Sequence, residues 1–268
     1  TIFGQGSTSD DTTIPGFVEK KLNEKGFEIT VINAGLGGAT TIDELFYLKE
    51  HILKFKPNMV VMYDGWNDVN MFNQLKFDLP YQEYLKNDHY ANQIIASDFI
   101  SKSQILNIGK EFRTFLAQID YKTGLGILVY IHSLIYADYV NDISTFSIEK
   151  LSKIESNMGQ NWNEVCELGS SSGFTTVNFI QPILGTSDRI KHSNEVNVIS
   201  DGETYEYIMN LNFKEKLQSC ENILDLRNAF ESKDGIHIYF DEGHMSDFGN
   251  EIIAEKIIEH LIPFIPTK

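Results

Sequence analysis

The sequence predicts an α/β protein, a parallel sheet wrapped by helices. Two observations carry that expectation. Through the first 70 residues short apolar strands alternate with amphipathic helices, and strands joined by helical crossovers pair in parallel. Within that run Met59-Val-Val-Met-Tyr63 is apolar without alternation, as a strand covered on both faces would be.

The elements follow in order. Thr1-Ile2-Phe3 reads as the tail of a strand whose beginning is missing, so the chain is expected to start inside a longer precursor. A signal peptide or N-terminal anchor could have preceded it, and localisation is open, an extracytoplasmic one included. After the loop from Gly4 to Thr13, Pro15 suits the first turn of a helix carrying Phe17, Val18 and Leu22 and stopped by Gly26. Glu28 to Asn33 reads as a strand. Thr41-x-x-Glu44 then forms a capping box for a helix bearing Ile42, Leu45, Phe46, Leu48, Ile52 and Leu53, which Pro57 ends.

Beyond the strand at Met59, residues from about Val69 to Ser147 are rich in Tyr, Phe and Asn and read as a largely helical insertion. Gly124 to Ile131 fits either strand or helix, and His132-Ser133 after it reads as structural, since sequence neighbours on a strand face opposite ways. Order returns with a helix at Ile148 to Leu168, strands at Thr175 to Ile180 and Ile223 to Leu226, and a closing helix, Glu251 to Leu261, with an apolar face of Ile252, Ile253, Ile257, Ile258 and Leu261. The organisation expected is one domain over 1–268 with an insertion at about 70–147.

Composition narrows the function classes. The 268 residues hold 22 Lys+Arg against 38 Asp+Glu, a net charge of −16, which argues against a nucleic-acid partner. Hydrophobic residues at 42% supply a sizeable core and exclude disorder as the main state. No apolar run approaches the roughly 20 residues that cross a bilayer. Cys166 and Cys220 show no metal-type spacing; one bridge and two free thiols are both open. No Asn-x-Ser/Thr acceptor occurs.

In open parallel sheets ligands bind beyond the carboxyl ends of the strands. The segments found there are Gly4-Gln5-Gly6-Ser7, Asn33-Ala-Gly-Leu-Gly-Gly38 and Asp64-Gly65-Trp66-Asn67-Asp68. They bring a hydroxyl, a flexible backbone and a carboxamide to one rim. Ser7 by itself would be an ordinary turn residue or a nucleophile. Asn67 and Asp68 would serve equally as turn and cap. The glycine loop matches neither a Walker motif nor Gly-x-Gly-x-x-Gly, which counts against a dinucleotide. Near the C-terminus Asp241 precedes His244 by three residues, a spacing at which a carboxylate in a turn can hold the imidazole by its Nδ1-H and leave Nε2 to take a proton. A metal set of His237, Asp241 and His244 lacks a companion ligand, so no metal or cofactor is expected. Asp10 and Asp11 read as solvated turn residues; Trp66 could line a pocket or pack beneath it.

Together these blocks resemble the SGNH hydrolases, also called the GDSL esterase/lipase family. The resemblance rests on Gly6-Ser7, Asn33 to Thr41 with Gly38, Gly65-Trp66-Asn67-Asp68 and Asp241-Glu242-Gly243-His244, in the family's order. Where the family usually has Gly-Asp-Ser, this chain has Gln5-Gly6-Ser7. The resemblance covers roughly residues 1–70 and 150–268. It implies a three-layer α/β/α sandwich of flavodoxin-like type around the parallel sheet. Ser7 would be nucleophile, His244 general base and Asp241 its orienting carboxylate. The oxyanion hole would be the backbone N-H groups of Ser7 and Gly38 with the side-chain amide of Asn67.

The activity implied is that of a serine esterase acting on a small O-acyl ester, an acylated carbohydrate being one candidate. An acyltransferase with the same residues is the near alternative, and a binding module with a degenerate site on the same fold the distant one. The insertion could cap the strand ends and shape the acyl or alcohol pocket, or form a structural layer. The sequence is silent on oligomeric state.

Overall fold

The computed structural model describes residues 7–75, 146–196, 198, 202–212 and 216–266. The chain divides into two units, 1–91 with 146–268 and, between them in sequence, 92–145; the described residues all belong to the first. The expected strand tail at Thr1–Phe3, residues Gly4 to Gly6 of the first loop, and nearly all of the expected insertion lie outside the described residues.

Among the described residues three parallel strands form the sheet in the order β1 (Met59–Asp64), β2 (Thr175–Ile180), β3 (Ile223–Asp225). Met59 pairs with Thr175 and Asp64 with Ile180; Asn178 pairs with Ile223 and Ile180 with Asp225. The two long strands begin and end in register. Alternate residues of β1 serve two apolar layers, because successive side chains of a strand point to opposite faces. Met59, Val61 and Tyr63 join the cluster that contains Val177 and Phe179 of β2. Val60 and Met62 join the other. This is why β1 is apolar without alternation.

Helices cover both faces. On the first lie α1 (Ile14–Glu24) and α7 (Asp247–Leu261), through Ile14, Val18 and Leu22 of one and Ile253, Ile257 and Ile258 of the other. Thr13 caps α1 by accepting the Gly16 N-H at 3.1 Å, and Pro15 sits in its first turn. Lys21 pairs with both Glu251 and Glu255 of α7. On the second face α2 (Thr41–Tyr47), α4 (Ile148–Ser172) and α6 (Gly202–Asn210) contribute Leu45, Met158, Trp162 and Tyr207. Two more helices complete the described set, α3 (Trp66–Leu75) after β1 and the single turn α5 (Ser193–Val196). Cys166 and Cys220 form a disulfide that closes a span of 54 residues and ties α4 to the segment before β3. Closing a loop of that length is worth about 4 kcal/mol through the unfolded chain.

Three local expectations are corrected. Glu28 to Asn33 does not join the sheet. Its backbone is satisfied instead by side chains of α1: Asn23 accepts the Ile29 N-H and donates to the Ile29 carbonyl, both at 2.9 Å, and Glu19 accepts the Val31 N-H at 2.7 Å. The capping box of α2 begins one residue earlier than Thr41, with Thr40 as cap and Asp43 reaching back to the Thr40 N-H at 2.9 Å. Thr41 is diverted because its N-H and hydroxyl both donate to Asp68. The expected helix to Leu53 also tightens and loosens along its length, passing from α2 through a π turn at Leu48–Ile52 to a 3-10 turn at Leu53–Phe55.

Asn23→Ala is expected to cost about 1 kcal/mol, the net worth of such a bond at an exposed site. It should expose the Ile29 amide to hydrogen exchange while leaving the sheet amide of Asn178 protected.

Candidate active site

The C-terminal ends of β1 and β2, the start of α7 and the loop before α1 converge on the residues that carry the motif blocks. The tightest geometry is the turn from Asp241 to His244. The segment folds back on itself, Tyr239 bridging Met245, with the Phe240 N-H donating to the His244 carbonyl at 2.9 Å and the Ser246 N-H to the Ile238 carbonyl at 2.7 Å. Within it Asp241 Oδ1 accepts the N-H groups of Gly243 and His244 at 2.9 and 2.7 Å, while Oδ2 meets His244 Nδ1 at 2.7 Å. Burial works to raise the Asp241 pKa, but the bonds from His244 and Gly243 outweigh it and hold it at about 2. A carboxylate so placed accepts from Nδ1-H, and in a neutral imidazole that tautomer keeps the lone pair on Nε2.

A buried ion pair supports this turn from below. Glu195 Oε1 accepts the N-H groups of Ile238 and Tyr239, each at 2.8 Å; Oε2 accepts that of His192 at 2.9 Å; and Arg189 Nη2 meets both oxygens at 2.9 Å. Both side chains are nearly without exposure. Burial opposes the charge on Glu195, yet Arg189 and three backbone N-H groups bring its pKa down to about 2. Glu195 carries no recognisable pattern in the sequence, its only local signal being a carboxylate three residues after His192. His237 is engaged elsewhere, its ring stacked on His192 and edge-on to Phe240.

On the other side stands Asn67, in the first turn of α3. Its Nδ2 donates to the Ala39 carbonyl at 2.8 Å, which sets the carboxamide beside Gly38. Gly38 has φ 72°, a conformation that favours glycine and turns the loop toward α2. An amide nitrogen carries two hydrogens, so one N-H of Asn67 stays available after that bond. Trp66, half-buried, lies against Gly243, where a Cβ would come within 3.5 Å of the indole. The carboxamide side and the His244 turn therefore meet through this ring.

Beneath Asn67 lies a network of carboxyl groups. Asp68 accepts the Thr41 N-H at 3.1 Å and its hydroxyl at 2.6 Å, Asn161 donates to that hydroxyl at 2.9 Å, and Trp162 Nε1 donates to Asp64 at 2.7 Å. Burial and the charge of Asp64 push Asp68 up to about 8, and burial raises Asp64 itself to about 6. Glu44 is pushed well above the carboxylate range by burial and by Asp64, with which it shares a hydrogen bond. The charges acting on this network are its own members and Asp43.

Ser7 begins the described chain. Its loop is latched to the start of α7: the Thr8 N-H and hydroxyl donate to Asp247 at 3.0 and 2.5 Å, and Asn250 Nδ2 donates to Ser7 Oγ at 2.9 Å and to the Thr12 carbonyl at 3.1 Å. Among the described residues the Ser7 hydroxyl bonds Asn250 rather than His244. Asp10 and Asp11 are exposed in a 3-10 turn. The structure thus joins Asp241 to His244, Asn67 to the loop of Gly38, and Ser7 to the helix that follows His244. Chemically the set offers a hydroxyl, an oriented imidazole and amide donors.

No family model matches the chain, and no curated protein matches it. Among solved structures it is similar to the crystal structure of an acetyl xylan esterase, AlAXEase, at 17% identity and a TM-score of 0.48, over 97% of this chain and 94% of that one.

Two outcomes follow from the electrostatics. Groups raised in the folded state stabilise it below their unfolded pKa and lose that contribution as pH rises through the folded value, so Asp64 and Asp68 should make stability decline from about pH 4 to about pH 8. Asp68→Asn is expected to flatten that decline between pH 6 and 8, followed by urea unfolding at each pH. Glu195→Ala strands Arg189 without its partner and should cost about 3 to 5 kcal/mol in the same unfolding experiment at pH 7.

Proposed function

We propose that this chain is a serine esterase of the SGNH type, on a three-layer sandwich of that family's kind, and that it hydrolyses a small O-acyl ester. The observation that carries the reading is the Asp241–His244 pair, whose Nδ1 contact at 2.7 Å leaves Nε2 free to act as base. Ser7 Oγ gives its proton to His244 Nε2 and bonds the acyl carbon, while the carbonyl electron pair moves onto its oxygen. The N-H groups of Ser7 and Gly38 and the spare N-H of Asn67 receive that oxyanion. As the tetrahedral species collapses, the alcohol leaves with the proton from His244. Water, deprotonated by the same imidazole, then releases the acid and restores Ser7.

The substrate class proposed is an uncharged ester of small size, a carbohydrate acetyl ester among the candidates, in keeping with the net charge of −16. The disulfide suits an oxidising compartment.

A fluorophosphonate probe should label the wild type at Ser7, and Ser7→Ala should abolish the signal. Asn67→Ala is expected to lower kcat on a short-chain aryl ester about 10²- to 10³-fold with the fold retained. A wild type that neither labels nor hydrolyses such an ester would overturn the esterase reading in favour of a binding module.

A further inference from the structure

We propose that Asn250 is a positioning residue for the nucleophile, its amide deciding which way the Ser7 hydroxyl proton points; the proposal rests on the esterase reading. Asn250 lies in the first turn of α7 with no exposed surface. Its Nδ2 is 3.1 Å from the Thr12 carbonyl and 2.9 Å from Ser7 Oγ.

The first of these contacts settles the second. A carbonyl oxygen can only accept, so it is the nitrogen of the carboxamide, and not its oxygen, that faces Thr12. The same nitrogen therefore points its other hydrogen at Ser7. Ser7 Oγ is the acceptor in that bond, and its own proton must be donated elsewhere. An acyl-transfer nucleophile needs this polarity, since a hydroxyl that spends its proton on a neighbouring acceptor has none to give a base. The bond also strengthens as Oγ gains negative charge during deprotonation.

A second observation concerns the other end of the same carboxamide. Among the described residues Asn250 Oδ1 is buried without a hydrogen-bond partner, which is unfavourable for an acceptor. The carboxamide is thus held by its donor end, at Ser7 Oγ and the Thr12 carbonyl. The loop that carries Ser7 is held as well by Thr8 on Asp247, so the Asn250 contact to Ser7 Oγ is made on a backbone that has a second anchor.

The test compares wild type, Asn250→Asp and Asn250→Ala as full chains, by the rate of fluorophosphonate labelling and by kcat and KM on an aryl acetate. Asn250→Asp nearly preserves shape but turns the donor into an acceptor that captures the Ser7 proton. Labelling rate and kcat are expected to fall about 10- to 100-fold with KM within about twofold, less than the roughly 10²- to 10⁴-fold contributed by a group that itself transfers the proton. Asn250→Ala, which only removes the donor, should lie between that variant and wild type, and it serves where the Asp variant does not fold. Wild-type labelling rates in the folded variants, or a rise in KM at unchanged kcat, overturn the assignment. A wild type that does not label overturns the esterase reading itself, a result distinct from either.

Discussion

The candidate site depends on one contact between residues far apart in the chain. Thr8 and Asp247, 239 residues apart, meet through two hydrogen bonds at the first turn of α7. Ser246 caps that helix by accepting the Gly249 N-H, and His244 lies two residues before the cap. The hydroxyl-bearing loop and the imidazole-bearing turn are thus both referenced to one helix start. Gly249 makes the arrangement possible, since a Cβ there would come within 2.9 Å of Ile238 and Met245.

The rest of the fold supplies rigidity to that reference point. Helix α7 is anchored along its length by an apolar face against β1 and β2 and by the Lys21 ion pairs to α1. The turn before it hangs on Glu195, whose carboxylate gathers three backbone N-H groups and Arg189. Buried charge of this kind is weak as a source of stability but strong as a constraint, because any displacement leaves it uncompensated. On the opposite rim the Asp68 bonds to Thr41 join the starts of α2 and α3, and with them Gly38 and Asn67.

Sequence and structure agree where the signal is local. Met59–Tyr63 was legible as a strand because its apolar content is uninterrupted, Thr175–Ile180 from its β-branched and aromatic residues, and the Asp241-x-x-His244 spacing needs only one turn to bring the two side chains together. The differences arise where partners are distant. Glu28 to Asn33 has strand-like composition, but α1 satisfies its backbone. Thr41 is an ordinary cap by sequence, until Asp68, 27 residues on, claims both its donors.

What the sequence by itself determined is therefore the parallel α/β character and the local chemistry of the Asp241 to His244 turn, both of which follow from short-range periodicity and turn chemistry. Tertiary structure alone decided that Cys166 pairs with Cys220, that Glu195 carries the turn of His244, and that among the described residues Asn250 and not His244 bonds Ser7. Each of those depends on side chains dozens or hundreds of residues apart. No local pattern encodes their meeting, which is settled only when the two apolar layers close on the sheet.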